Sequence, residues 1–339
     1  MFRNSVACTT SFSAARASLK QAVRPARQVC QMSTSSAKSE SNAGLYFSLA
    51  GLAGIGAWAA MGGFNGDIRS KIQQISADEG DALSSDEFRP FKLKEVRPYN
   101  HDSSVYIFEL PDNKKSGVFT ASAIVVRGAG DEPKDKDGNP VIRPYTPINK
   151  PEEKGQMELL IKHYAEGNMT QHLKGLKVGD EIRMKGPIPK HKYKANEFEH
   201  IGLVAGGSGI TPMWQLMQTI SSDSQDKTKV TLLFANKTEG DILLRDQLEA
   251  LKKDSRFNVV YFLDNKPSGF DGEEGFVTKE AVEKYLPKPS EGKKAKIFVC
   301  GPPPMYKALC GPKGEKGAQG ELSGALKELG FTQEQVFKF

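Results

Sequence analysis

HIGLVAGGSGITPMWQLMQTI, residues 200–220, decides how the C-terminal half of this 339-residue chain is read. An uninterrupted apolar run without alternation suits a strand buried on both faces, as in parallel sheets. It stops at a turn containing Gly206, Gly207 and Gly209, residues that let the backbone approach a ligand closely. Thr211 and Pro212 follow, and proline suits the first helical turn. The same strand-then-helix pattern recurs in KVTLLFAN with DILLRDQLEALKKD, FNVVYFLD with VTKEAVEKYL, and KIFVC with GPPPMYKAL. Alternation of this kind predicts a doubly wound parallel sheet over residues 198–339, with a nucleotide at the carboxyl ends of its strands.

The turn is not the GxGxxG of dinucleotide folds, and one glycine-rich turn carries little weight. A second turn, Cys300-Gly301-Pro302-Pro303-Pro304-Met305, ends the last of these strands and can line the same crevice. Cys300 read singly is a small apolar residue suited to burial. A glycine followed by three prolines is better suited to shaping a site than to filling a core.

Residues 88–194 show a different pattern. Short apolar runs at 91–96, 105–110, 121–127, 141–145, 157–164 and 181–184 are separated by Gly, Pro, Asp and Asn. That predicts an antiparallel barrel or sandwich, with DEPKDKDGNP (131–140) as a surface loop. Two motifs here carry chemistry. In Arg143-Pro144-Tyr145-Thr146-Pro147, strand alternation puts a phosphate-compatible guanidinium and a flat ring on one face. In Gly167-Asn168-Met169-Thr170, a glycine turn opens a helix, with a hydroxyl at the cap and free N–H groups suited to an anion.

Residues 1–40 hold Arg3, Arg16, Lys20, Arg24, Arg27 and Lys38, with no acid before Glu40. Arg- and Ser-rich, acid-poor composition is that of a mitochondrial presequence, or of a basic tail with no address. The uncharged stretch 44–64 has the length of a transmembrane helix, and 65–87 reads as a tether. The net charge of +6 is scattered rather than clustered, which argues against nucleic-acid binding. The cysteines Cys8, Cys30, Cys300 and Cys310 form no CxxC pair, so neither a disulfide framework nor structural zinc is expected. No Ser/His/Asp set is convincing, and His163 and His172 read as surface or cap residues.

In order, RPYTP, GxMT, GGSGITPM, LLFANKTExDILLR, FLD and CGPPPM resemble the NADH–cytochrome b5 reductases of the ferredoxin reductase-like superfamily. The resemblance covers nearly all of residues 88–339, including the terminal Phe339. It implies an FAD-binding antiparallel β-barrel followed by an NADH-binding α/β domain. It implies that Arg143 meets the FAD pyrophosphate, Tyr145 packs by the flavin and Thr146 contacts the isoalloxazine. Gly167, Met169 and Thr170 would contribute phosphate contacts, and Lys162, in the strand LLIKHY, would border the flavin. Gly206, Gly207, Gly209 and Thr211 would line the gap between flavin and nicotinamide. Cys300, with Gly301, Pro302 and Met305 of the same turn, would position the nicotinamide. Asp264 matches the acid that favours NADH, since a carboxylate accepts from ribose hydroxyls and repels a 2′-phosphate. Thr146 and Cys300 are the residues closest to the chemistry on this reading.

The implied reaction is hydride transfer from NADH to FAD, then two single-electron departures to cytochrome b5 or a similar acceptor. Lys162, Lys185 and Lys190 are candidates for a basic rim facing an acidic haem protein. The N-terminus is similar to that of fungal mitochondrial members, which occur as an outer-membrane form and a cleaved intermembrane-space form. Competing expectations are a related reductase using NADPH or a quinone or ferredoxin acceptor, and a membrane-tethered adaptor without catalysis.

Overall fold

The computed structural model describes residues 80–339. The presequence-like segment, the proposed span at 44–64 and most of the tether lie outside the described residues. Among the described residues, no helix is long and apolar enough to cross a membrane.

The first domain is a six-stranded antiparallel sheet built from β1 (Arg89–Pro98), β2 (Ser103–Glu109), β3 (Ser122–Gly128), β4 (Arg143–Tyr145), β5 (Gln156–Lys162) and β6 (Glu181–Pro189). Its strand order is β4-β3-β6-β1-β2-β5. The two edges meet beyond β4, where the Ile148 N–H donates to the Glu158 carbonyl at 2.9 Å and the Asn149 side chain accepts from the Glu158 N–H at 3.0 Å. The sheet therefore curls around one core, containing Phe91, Leu93, Tyr106, Phe108, Ile124, Val126, Met157, Leu159, Ile161, Ile182 and Met184. Ala82 and Leu83 are also buried in it, so the chain joins this domain earlier than residue 88.

Two departures from expectation have local causes. The sixth strand was expected to stop at Met184, before Gly186-Pro187, yet β6 continues to Pro189. The register against β3 shifts between Ala123 and Val125, so the proline without an N–H falls at the irregularity, where the ladder needs no donor. Conversely, β4 is only three residues long, because Val141 leaves the ladder to enter the core.

Helix α1 (Asn168–Gly175) packs beside the barrel. The second domain is a parallel sheet of order β10-β9-β8-β7-β11-β12, from β7 (His200–Gly206), β8 (Lys229–Asn236), β9 (Phe257–Leu263), β10 (Glu273–Glu274), β11 (Ala295–Cys300) and β12 (Val336–Lys338). Helices α2 (Ile210–Ser222), α3 (Arg245–Leu251), α4 (Lys279–Tyr285), α5 (Pro303–Leu309) and α6 (Gly324–Glu328) complete it. Both sheet faces are covered, which explains the lack of alternation in its strands. Leu203, Ala205, Leu232 and Phe234 pack with α2, whereas Val204, Leu233, Ile297 and Val299 pack with Val282, Leu309 and Leu326 on the other side.

The expected helix over DILLRDQLEALKKD forms only over Arg245–Leu251. Residues Glu239–Asp241 form a 3-10 turn, and Leu244 takes a left-handed φ of 56° before α3 begins. Burial of Ile242, Leu243 and Leu244 explains the break, since all three enter the core and a continuous helix would turn one away.

The domains share a seam. Leu160 of β5 and Ala121 pack into the nucleotide domain's core, while Leu159 and Ile161 face the barrel interior. That two-sided duty explains why β5 is apolar on both faces. Trp214 Nε1 donates to the Ile148 carbonyl at 2.9 Å, and the Thr120 and Thr219 hydroxyls lie 2.7 Å apart.

Candidate active site

One cleft of about 1500 Å³ runs between the barrel and the carboxyl ends of the parallel strands. Arg143, Tyr145, Thr146, Lys162 and the 164–170 segment line it from the barrel side. Gly206, Gly207, Gly209, Thr211, Asp264 and the 300–306 turn line the other. All the cofactor-site residues expected from the sequence therefore border a single space, larger than one drug-sized ligand needs.

The two glycine-rich turns touch. Strands β7 and β11 are neighbours, with Ala205 paired to Cys300. A Cβ on Gly209 would lie 2.1 Å from the Cys300 carbonyl oxygen, and one on Gly206 would lie 2.8 Å from Pro302 Cδ. Gly209 is glycine because the Cys300 main chain approaches it closely, and Gly206 because the Pro302 and Met305 side chains pack against it. At Gly207, by contrast, φ is +52° and nothing stands within 4 Å of where a side chain would project. That glycine faces open cleft.

On the barrel side, Arg143 donates to the Ile142 carbonyl at 2.9 Å, and no carboxylate closes a salt bridge on it among the described residues. Its guanidinium remains available to a diphosphate. Burial pushes the Tyr145 phenol well above its ordinary range, so the ring stays neutral. The GNMT turn works differently from expectation. Gly167, not the threonine, is the N-cap of α1. Thr170 Oγ1 is engaged with the Gly167 and Tyr164 carbonyls at 3.0 and 3.3 Å, and Met169 is buried in the barrel core. What this turn can offer an anion is main-chain N–H groups rather than those side chains. Thr211 is similarly occupied, with its hydroxyl 3.3 Å from the Ser208 carbonyl.

Lys162 is not part of an open basic rim. Its Nζ lies 2.6 Å from Asp102 Oδ2 and 2.9 Å from Asp241 Oδ1. Burial opposes its charge, but the two carboxylates more than offset that and hold its pKa above the ordinary lysine value. The Lys185 ammonium donates to the Asp86 carbonyl at 3.1 Å, whereas Lys190 is exposed and lines the cleft. His101, Asp102 and Asp241 have the spacing of a metal cluster, but the Lys162 ammonium already supplies the cation between the two carboxylates. His163 is half-buried against the Tyr106 hydroxyl at 2.8 Å, and His172 is half-buried in the last turn of α1.

Asp264 follows the last residue of β9 and is exposed. It borders both the main cleft and a shallower pocket formed with Thr238, Gly240, Lys266 and Glu274. Cys300 is largely buried at the end of β11. Burial raises its thiol pKa, opposed by the Lys313 charge and by a hydrogen bond with Tyr306, so it is a neutral thiol at neutral pH.

Sequence reasoning passed over Asn236, although it lies inside the quoted LLFANKTExDILLR motif. It is buried at the cleft wall, and neither end of its amide has a hydrogen-bond partner. Phe276, 75% exposed, and Lys313 also line the cleft without having been anticipated. A lone aromatic and a lone lysine in loops give no sequence signal.

Residues 90–193 match the family model described as an oxidoreductase FAD-binding domain, and residues 203–311 match an oxidoreductase NAD-binding domain. A protein of Mycosarcoma maydis named NADH-cytochrome b5 reductase 2 is 51% identical, with all of both chains covered. This chain belongs to the NADH–cytochrome b5 reductase family. A reductase of the same name from Phaeosphaeria nodorum is 40% identical over 94% of this chain and 99% of its own. Among solved structures, the cytochrome b5 reductase domain of Ulva prolifera nitrate reductase superposes with a TM-score of 0.66 at 30% identity, covering 77% of this chain and 100% of that one.

The geometry fits the cofactors of the reductase family, FAD and NADH. An arginine without a carboxylate partner, a buried amide with both ends unpaired and a glycine facing open space are features that two nucleotides would use.

Proposed function

We propose that this chain oxidises NADH, holds FAD in the barrel half of the cleft and passes electrons singly to cytochrome b5. The observation carrying this reading is the convergence of the RPYT strand, the GGSG turn and the CGPPPM turn on one cleft. FAD supplies the conversion of a two-electron hydride into single-electron steps.

The protein's part is placement. Arg143 holds the diphosphate, and Tyr145 and Thr146 border the isoalloxazine. The main-chain N–H groups after Gly167 take phosphate oxygens. Gly207 would leave room for a nicotinamide in the cleft that the Cys300 turn also lines. Holding donor and acceptor together in this one cleft would convert a bimolecular step into a nearly unimolecular one. Asp264, at the outer end of the cleft, accepts from the free ribose hydroxyls of NADH and disfavours NADPH. The neutral Cys300 thiol is a packing surface beside the nicotinamide, not a nucleophile.

Exposed Lys190 at the cleft gives an acidic acceptor a landing point. The presequence-like residues 1–40 and the uncharged residues 44–64 support placement at the mitochondrial outer membrane through a single span, together with a cleaved intermembrane-space form.

Anaerobic stopped-flow tests the reading directly. The full chain should purify yellow, and NADH should bleach its flavin absorbance much faster than NADPH does. Added salt should then slow reduction of cytochrome b5 more than that of ferricyanide. Absence of flavin, or preference for NADPH, would overturn the assignment; equal salt sensitivity would remove the lysine's role.

A further inference from the structure

Phe339, the residue after β12, lines the cleft together with the Cys300 turn. β12 is an edge strand of three residues, a weak hold on the chain that follows it. Phe339 stacks on Phe298 with centroids 5.7 Å apart and meets Phe337 edge-on at 5.2 Å. Its N–H donates to the Val299 carbonyl at 3.0 Å. Lys338 is held by Gln319 through its main chain and by the Pro312 and Glu321 carbonyls through its Nζ, and on Phe339 itself the hydroxyl of Tyr306, on α5, donates to the main-chain oxygen at 2.7 Å.

Tyr306 occupies a junction. It is 8% exposed, on the helix that the CGPPPM turn launches. The same hydroxyl lies 3.3 Å from the carbonyl of Val299, the residue before Cys300, so one group faces both the Phe339 main chain and the end of β11. Lys313 Nζ sits 5.1 Å from its ring centroid. Burial raises the phenol's pKa, so it keeps the proton it donates across the working range.

We propose that Tyr306 is a positioning residue of the nicotinamide pocket, its single hydroxyl tying the Phe339 corner to the Cys300 corner and setting the gap between them. The inference rests on the reading of the cleft as the place where NADH meets flavin. Tyr306 acts through Phe339 and through the Val299 carbonyl just before Cys300.

Replacing Tyr306 by phenylalanine keeps the ring, the helix packing and the lysine contact and removes only the tie. Three FAD-loaded full-length variants, Tyr306→Phe, Phe339→Gly and the double substitution, are compared with wild type by stopped-flow reduction with NADH. Hydrogen exchange of the 336–339 segment, followed by mass spectrometry without nucleotide, gives a readout independent of activity. Tyr306→Phe should lower the saturating reduction rate roughly tenfold, leaving the NADH dissociation constant within about threefold. Exchange in the 336–339 segment should quicken while the β7 and β8 amides stay protected. In the Phe339→Gly background no ring remains to be held, so Tyr306→Phe should cost about twofold or less. A wild-type rate in Tyr306→Phe, unchanged exchange at 336–339, or multiplicative losses in the double variant would overturn the proposal. A wild-type chain that NADH does not reduce would instead sink the functional reading, and this inference with it.

Discussion

Lys162 of the barrel and Asp241 of the nucleotide domain form an ion pair across the domain seam, with Nζ 2.9 Å from Oδ1. Both side chains are sheltered, at 14% and 9% exposure, and Asp102 lies on the other side of the ammonium at 2.6 Å. Asp241 also accepts from the Thr238 N–H and hydroxyl, so the pair fixes the β8 loop against the barrel.

Asp241→Asn should destabilise the fold by about 1–3 kcal/mol, the worth of hydrogen bonds to a charged group. Burial pushes the Asp241 carboxyl up, but the Thr238 hydroxyl and Lys162 outweigh it and leave the pKa below the ordinary value. A depressed carboxylate pKa stabilises above the unfolded value near pH 4 and loses that contribution as pH falls through the folded value. The raised Lys162 pKa adds stability that is lost only at strongly alkaline pH. The urea-unfolding gap between wild type and Asp241→Asn should therefore be flat near neutrality and narrow below about pH 4. A gap that stays constant into acid would show that the pair does not carry it.

Gly209 and Gly207 sit two residues apart and should respond oppositely to alanine. At Gly209 the added Cβ meets the Cys300 carbonyl oxygen at 2.1 Å and its carbon at 2.6 Å, both main chain and unable to swing aside. Gly209→Ala should displace the CGPPPM turn and slow flavin reduction by more than about tenfold. At Gly207 only the left-handed backbone objects, at roughly 1–2 kcal/mol, because no atom lies within 4 Å of the new methyl. Its effect should fall on NADH binding rather than on folding of the turn. Equal losses in the two variants would contradict the contact geometry.

Arg143→Ala should yield protein that loses FAD on desalting. Removing a charged donor from a diphosphate costs about 1.5–3 kcal/mol, or roughly 10–150-fold in affinity. Arg143→Lys should recover little of it, since a point charge cannot make the planar two-bond contact. Flavin content by absorbance decides the matter: full occupancy of Arg143→Ala would exclude the assigned role.

The six barrel strands and four of the six parallel ones were legible because burial on one face or two leaves a period in the sequence, whereas the edge strands β10 and β12, two and three residues long, leave no run to read. What escaped was set by contacts between segments distant in the chain. Nothing in LLIKHY shows that Lys162 will meet an aspartate 79 residues later. Nothing in GNMT shows that the threonine will fold back onto Tyr164. DILLRDQLEALKKD has a helical period, but the three buried residues at 242–244 overrode it. The GGSG and CGPPPM turns were found because glycine and proline encode backbone geometry locally. Tyr306 and Asn236 were not, since their roles depend on where β12 and the cleft fall.

His191→Phe should change how stability depends on pH. The imidazole lies among Phe298, Phe337 and Phe198, with centroids at 5.1, 5.6 and 6.1 Å. Its Nε2 has no hydrogen-bond partner, and Glu197 stands 3.9 Å away. Burial lowers its pKa; Glu197 opposes that and Lys296 reinforces it. A histidine held neutral in the fold contributes stability that is complete above its unfolded pKa near 6.5 and is lost as pH falls from there toward the lowered folded value. Phenylalanine takes no proton and fits the aromatic cluster, so the variant should gain on wild type as pH drops from 8 to 5. A relative gain of roughly 2–4 °C in Tm is the scale expected. His163 and His200 are lowered by burial in the same sense, so a residual acid slope should persist in the variant. Parallel melting curves for the two proteins between pH 5 and 8 would mean that the cluster tolerates the imidazolium, with ring faces and Glu197 offsetting its lost hydration.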